Sequence, residues 1–318
     1  MFCWSSFSQV YADVALLQVV NGSNLIQQIS NSLDFLEVNL WNEASGGFFA
    51  ECSLDGSVVD RSVQFVDDNA FAGLVYLLCH RVGDRMKLPF SQRCLPRAIL
   101  IAQWLMENGW DDSFGGGFWW NTLRPFKPTN SNSLAVVFFA ELFDLTKTGL
   151  YLSWASKTAG WMESILFNPN VGLFQWYVNA SGVNPAMFAY ENALMVRGYA
   201  LLSNDGSWNK SRELDLTNAL LQNFWSNQFG IFMESTISGS VSTVLSGWAS
   251  LSLLESGHSD TICQSNVAFI NRHLRDASTG AAFTDCFPGG DGRRFNDSFY
   301  LLDTSWLQAL NAFQARLD

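Results

Sequence analysis

The sequence predicts an all-α fold, an (α/α)6 toroid of about 11 helices whose last outer helix is missing. Three observations predict it: a repeated glycine–aromatic phrase, a second phrase at the start of the helices between its copies, and two helix sets of different polarity. The first phrase reads Gly46-Gly47-Phe48-Phe49, Gly116-Gly117-Phe118-Trp119-Trp120, Gly172-Leu173-Phe174, Gly230-Ile231-Phe232 and Gly280-Ala281-Ala282-Phe283. Each copy follows a helix-like segment, at residues 25–41, 92–108, 151–167, 210–225 and 261–274.

The second phrase reads Asp68-Asn69-Ala70-Phe71, Ser131-Asn132-Ser133-Leu134, Glu191-Asn192-Ala193-Leu194, Ser242-Thr243-Val244-Leu245 and Asp303-Thr304-Ser305-Trp306. A weaker first copy is Tyr11-Ala12-Asp13-Val14. Copies recur about every 60 residues, room for two helices and one long loop. The segments ahead of the glycines are amphipathic, with Arg93, Arg97, Lys210, Arg212, Glu213 and Asp215 off the apolar stripe. Residues 63–82, 132–147 and 241–255 are apolar or small nearly all round, the pattern of buried helices. The first set therefore forms an outer ring and the second an inner ring. Six inner segments and five outer ones fit a single domain over residues 1–318, either closed unusually or cut short.

Connections from inner to outer helices are short, as at Lys147-Thr148-Gly149 and Asn204-Asp205-Gly206, where Ser207 can cap the next helix. Connections from outer to inner helices are long and carry the glycine–aromatic phrase. The rim where the inner helices begin is thus the expected working face. An α-solenoid or helix bundle without any site is the bland alternative.

Composition narrows the partners. Net charge is −11 and the only basic pair is Arg293-Arg294, which argues against nucleic acid. No 18-residue stretch is free of polar interruption, so no membrane span is expected. Residues 1–20 lack the pattern of a leader, which points to the cytoplasm, or to secretion if a leader has been removed. The six cysteines lie far apart without a CxxC pair, so neither a disulfide framework nor a zinc site is expected. The sequons at Asn21, Asn179, Asn209 and Asn296 are about what chance gives. Gly115-Gly116-Gly117 lacks the Gly-Lys-Ser/Thr ending of a phosphate loop. No metal and no cofactor is expected.

Asp67-Asp68 is the most informative pair. On a helical wheel Asp67 shares its stripe with Val63, Ala70, Leu74 and Leu78, and Asp68 with Phe71, Ala72, Val75 and Cys79. The polar exit of that helix is expected around Asn69, Tyr76 and His80. Two carboxylates in apolar surroundings are costly, and are functional or tightly bonded. Consecutive helical carboxyl groups can sit roughly 5–7 Å apart, a range that includes a retaining glycosidase pair. Their repulsion raises one pKa and leaves an acid beside an anion. The other reading is that one caps a loop and the other pairs with an arginine.

Glu191 and Asp303 occupy repeat positions equivalent to Asp68 and should line the same mouth, or serve as structural hydrogen-bond partners. Trp119, Trp120, Trp176 and Tyr177 follow loop glycines and could stack on sugar faces. Asp111-Asp112 read as turn residues. Arg197 lies inside an inner helix and needs a partner, with Glu191 or Asp144 the candidates. His80, His258 and His273 fall away from the working face, so no mechanism resting on histidine is evident.

These residues resemble glycoside hydrolase family 76, the endo-α-1,6-mannanases. That family's D-D-x-A-W phrase is met by Asp67-Asp68-Asn69-Ala70-Phe71, and its G-G-G-I-W-W loop by Gly115-Gly116-Gly117-Phe118-Trp119-Trp120. Its Y-K-N-A-x-x-N segment is met by Phe126-Lys127-Pro128-Thr129-Asn130-Ser131-Asn132, and its T-Y-N-Q-G phrase by Ala189-Tyr190-Glu191-Asn192-Ala193. The likeness is clearest from Phe65 to Phe174. It implies an (α/α)6 barrel acting on α-mannosides or related oligosaccharides, with Asp67 as nucleophile and Asp68 as acid/base of a retaining mechanism. It places Trp119 and Trp120 near the sugar subsites; with them, Asn132, Tyr190, Glu191, Asn192 and Asp303 are the expected substrate contacts. Phe71 replaces the family's tryptophan, and Glu191 stands where an uncharged residue is expected. The N-acylglucosamine 2-epimerases and the unsaturated glucuronyl hydrolases share the toroid and are rival readings. A non-catalytic carbohydrate-binding toroid is a third.

Overall fold

The computed structural model describes residues 2–286, apart from 21, 58, 207, 237, 238 and 259, and residues 301–315. Arg293-Arg294, the sequons at Asn21 and Asn296 and the cap expected at Ser207 lie outside the described residues. The helices run in the order α1 (Cys3–Leu17), α2 (Ser23–Asn39), α3 (Val66–Met86), α4 (Ser91–Trp104), α5 (Thr129–Thr146) and α6 (Gly149–Ile165). They continue with α7 (Ala189–Asn204), α8 (Lys210–Phe224), α9 (Thr243–Glu255), α10 (Asp260–His273) and α11 (Leu301–Gln314). The odd-numbered helices close on themselves: α1 packs on α3, α3 on α5, α5 on α7, α7 on α9, α9 on α11, and α11 back on α1. Each even-numbered helix leans on the inner helix before it. The molecule is an (α/α)6 toroid, and direct contact of α1 with α11 closes its inner ring with five outer helices among the described residues.

Polarity sorts the two rings. In α5 every residue from Ser131 to Leu142 is buried, because neighbours cover it all round. In α2 only Ile29, Leu33 and Leu36 are buried, a single stripe facing inward. No helix among the described residues is long and apolar enough to cross a membrane.

The glycine–aromatic loops fold as short antiparallel pairings that the sequence pattern did not reveal. Trp41 bridges to Phe48, Trp110 to Phe118 and Arg275 to Ala282, while Phe167 pairs with Phe174 and Trp225 with Phe232. Pairings one or two residues long are too brief to leave an alternating signature.

One polar residue near the start of each inner helix from α3 to α11 holds such a loop in place. Asn69, fourth in α3, accepts the Phe48 N–H at 2.6 Å and donates to Phe48 O at 3.1 Å and Phe65 O at 2.8 Å. Asn132, fourth in α5, accepts the Phe118 N–H at 2.7 Å and donates to Phe118 O at 2.9 Å and Pro128 O at 2.7 Å. Asn192, fourth in α7, does the same for Phe174 and Phe188. In α9 the fourth residue is Ser246, which donates to Phe232 O, and in α11 it is Thr304, which accepts the Ala282 N–H. The repeat phrase of α9 therefore starts at Leu245 and not at Ser242. Val241 and Ser242 instead pair as a strand with Asp285 and Cys286. Nor are Asn69 and Tyr76 a polar exit: both are fully buried, and the Tyr76 hydroxyl donates to Glu37.

The Asn132→Ala variant tests this role. It leaves a buried N–H and two carbonyls without partners, so we expect a loss of about 3 kcal/mol, read as a lower urea midpoint. A residue that only contacted substrate would leave that midpoint unchanged.

The rim at the far ends of the inner helices carries more charge than its short turns imply. Arg197 of α7 pairs with Glu141 of α5 and with Glu255 of α9 at 2.6 Å, and Arg81 of α3 reaches Glu141 at 2.7 Å. The partners of Arg197 are thus Glu141 and Glu255, neither Glu191 nor Asp144. The i+3 spacing of Glu141 to Asp144 along α5 places the deeper of the two beside Arg197. The six cysteines are all buried.

Candidate active site

The mouth of the toroid is built from the second residue of five of the six inner helices. Trp4, Asp67, Asn130, Tyr190 and Val244 hold that place in α1, α3, α5, α7 and α9, and all five line one cavity of about 430 Å³. Asp68 and Asp303, third in α3 and α11, line it too, with Trp248 at its side. A second cavity of about 510 Å³ adjoins it and shares Trp4, Ser5, Asp67 and Asp68 before running on to Phe65 and Trp120. The two carboxylates therefore stand where the two cavities meet.

The pair is asymmetric. Asp67 is buried, and its Oδ2 accepts from Asn130 Nδ2 at 2.8 Å and from the Trp120 indole at 3.2 Å. Its Oδ1 takes the Asp68 backbone N–H at 3.2 Å, at the first turn of α3. Burial raises its pKa to about 6, against the pull of these donors. Asp68 is half-buried, and no protein group hydrogen-bonds its carboxyl among the described residues. Burial and the Asp67 charge push its pKa well above the usual carboxylate range. Of the two, Asp67 is the oriented carboxyl and the more readily ionised, while Asp68 faces the cavity and gives up its proton less readily.

Trp120 closes one wall. Its ring stacks on Phe126, centroids 5.0 Å apart, and Phe126 stacks in turn on Tyr177 at 4.7 Å. Tyr190 stacks on Trp248 across the other cavity. Asp303 accepts a hydrogen bond from Thr284 at 3.1 Å.

The expected substrate residues divide. Asp67, Asp68, Trp120, Tyr190 and Asp303 line the two cavities, whereas Trp119, Asn132, Glu191 and Asn192 line neither. Asn132 and Asn192 are fully buried, their amides committed to loop backbone as described above. Trp119 is held behind the wall: its indole donates to Asp111 at 2.7 Å, and the Lys127 ammonium lies 4.8 Å from its ring centroid. Asp111 is thus more than a turn residue, being the counter-ion of a buried lysine. Glu191 lies fully buried beneath Tyr190.

Trp4, Asn130 and Trp248 were not anticipated. Counting two residues from each inner-helix start would have found Trp4 and Asn130; Trp248, a turn deeper in α9, carries no such signal. His80, His258 and His273 line neither cavity. Among the described residues, no group of three or more His, Cys, Asp or Glu side chains is placed to hold a metal ion.

Comparison with known proteins gives a consistent picture. The glycosyl hydrolase family 76 model matches residues 59–317. No curated protein matches the chain significantly. A family 76 alpha-mannanase of Bacteroides thetaiotaomicron is similar in structure, with a TM-score of 0.81 and 15% identity over 100% of this chain and 86% of that one. An inactive variant of an alpha-1,6-mannanase of Salegentibacter sp., bound to alpha-1,6-mannotriose, gives a TM-score of 0.74 and 17% identity over 99% and 90%. A cellobiose 2-epimerase of Bacillus thermoamylovorans shares the fold, with a TM-score of 0.79 and 10% identity over 99% and 88%.

Proposed function

The chain belongs to glycosyl hydrolase family 76, and we propose that it cleaves α-mannosidic bonds, 1,6-linked first among them, by a retaining mechanism. The observation that carries this reading is the asymmetry of the carboxylate pair. Asp67, oriented by Asn130 and Trp120, attacks the anomeric carbon, while Asp68 gives its proton to the departing glycosidic oxygen. A covalent glycosyl ester on Asp67 results. Asp68, now anionic, takes a proton from the incoming water, which displaces Asp67 and frees the sugar with its anomeric configuration kept.

Cavities on both sides of the pair provide room for sugar residues flanking the broken bond. Among the described residues, carboxylates line the mouth without a lysine or arginine, which suits neutral sugars and disfavours the uronic acids of the glucuronyl hydrolases. The epimerases use histidines at this face, and neither cavity has one.

The test is hydrolysis of α-1,6-mannooligosaccharides, followed by proton NMR of the first-formed anomer. The α-anomer is expected; the β-anomer would overturn the retaining mechanism, and isomerised free sugar would move the case to the epimerases.

The pH dependence has a defined sign. Asp67 must be ionised, so kcat/KM falls as pH drops through about 6. Asp68 must be protonated, so the rate falls again as pH rises through its raised pKa. A bell-shaped profile is expected, both limbs belonging to the pair. A rate that keeps rising with pH would contradict an acid role for Asp68.

A further inference from the structure

Glu191 is a carboxyl beside the mouth that the mechanism above leaves unused, and it is fully buried. It is third in α7, the place that Asp68 holds in α3, yet its side chain is 0% exposed. Its Oε1 accepts from the Tyr190 hydroxyl at 3.2 Å, and Tyr190 lines the cavity. Its Oε2 is buried without a partner. The groups acting on it are the Tyr190 hydroxyl on its own helix, the Asn130 backbone N–H at the start of α5, and the Asp67 carboxylate of α3. Glu234, in the loop ahead of α9, acts on Tyr190. None of these is a cation.

Asn130 has the matching deficiency. Its Nδ2 must face Asp67, because an ionised carboxylate can only accept. That choice sends its Oδ1 to the other side, where it is buried with no donor. Two neighbouring residues thus carry one orphaned acceptor oxygen each, and such atoms are costly to bury. A single proton on Glu191 Oε2 would turn one of them into the donor that the other lacks.

We propose that Glu191 is a positioning residue that works as a neutral acid, donating from Oε2 to Asn130 Oδ1 and so fixing the amide that orients Asp67. Tyr190, Glu191, Asn130 and Asp67 then form one hydrogen-bonded chain from α7 through α5 to α3. The neutral form also spares Asp67 a second negative charge nearby, which would make it harder to ionise. Burial, with the Asp67 charge adding to it, holds the Glu191 pKa well above 4.5, in agreement with this role. The inference rests on the glycosidase reading for its consequence, though not for its protonation state.

Two measurements test it. The first needs no substrate: the difference in Tm between Glu191→Gln and wild type across pH. Folding raises the Glu191 pKa, so the folded form binds the extra proton, and wild-type stability declines as pH rises above about 4.5. The glutamine variant, which cannot titrate, should gain on wild type by up to about tenfold in folding constant per pH unit. A difference that stays flat, or that moves against the variant with rising pH, would overturn the neutral form.

The second measurement is kinetic. Glutamine can still donate to Asn130, so Glu191→Gln should keep kcat within about threefold of wild type, while Glu191→Ala lowers it about tenfold or more. Equal damage from both, at temperatures where both are folded, would overturn the positioning role. If neither wild type nor variants cleave any mannoside, the glycosidase reading fails while the stability result stands.

Discussion

Asp67→Asn should abolish turnover of α-1,6-mannooligosaccharides, with kcat/KM falling by about 10⁴-fold or more, as expected when a covalent nucleophile is lost. Asp68→Asn should cost about 10²- to 10⁴-fold, the usual contribution of a positioned general acid. The two losses differ in kind, and an aryl α-mannoside with a good leaving group separates them. Such a leaving group needs no proton, so glycosylation survives in Asp68→Asn and a burst of phenolate is released before the slow second step. In Asp67→Asn no burst appears, because no ester can form. A burst in the Asp67 variant and none in the Asp68 variant would reverse the assigned roles. Loss of fold does not explain either outcome. Both carboxyls have raised pKa values in the folded protein, so each destabilises it increasingly as pH rises above the ordinary carboxylate value near 3.8. Each Asn variant should therefore match or exceed wild type in Tm at neutral pH. Binding of the unhydrolysed oligosaccharide should persist in both.

The toroid was legible because its repeat is long and its two rings differ in polarity, and both properties survive in sequence. The Asp67-Asp68 pair was legible for a related reason, being charge placed on an otherwise apolar helix. Register at the mouth was harder to read. The repeat phrase drew attention to Asn132 and Asn192, yet a helix turns about 100° per residue. Asn132, two residues beyond Asn130, therefore points into the ring wall, where its amide holds a loop. Glu191 lies buried beneath Tyr190, although Asp68 in the equivalent place of α3 lines the cavity. Trp119 and Trp120 were indistinguishable as adjacent aromatics in a glycine-rich loop. Only the hydrogen bond to Asp111 marks the first as packing, and only the hydrogen bond to Asp67 marks the second as part of the site. The charged network at the opposite rim was missed because Arg81, Glu141, Arg197 and Glu255 are spread over four helices, and only closure of the ring brings them together.

Lys127→Met should damage both fold and rate, for a reason that lies in how the wall is built. The Lys127 side chain is 0% exposed, and its ammonium donates to Asp111 Oδ1, Ser113 O and Gly116 O at 2.7 Å each and to Asp111 O at 3.0 Å. Burial lowers its pKa, while Asp111 holds the charge in place. Methionine has a similar length but no donor, so three carbonyls and a partly buried carboxylate lose the ammonium that gathers them. A loss of about 3 kcal/mol is expected, visible as a lower urea midpoint. The knot also governs the site. Next to Lys127, the Phe126 carbonyl accepts the Trp120 N–H at 2.9 Å, and the Trp120 carbonyl accepts the Val66 N–H at 2.8 Å. Val66 opens α3, one residue before Asp67, so loosening the loop loosens the indole on Asp67 and the start of the helix that bears it. At temperatures where the variant stays folded, kcat should still fall about tenfold. Lys127→Arg should not rescue it, because a planar guanidinium cannot match four oxygens gathered around one ammonium. If Lys127→Met lowers the urea midpoint but keeps full kcat while folded, the loop supports the fold alone and Trp120 is held on Asp67 by its stack on Phe126.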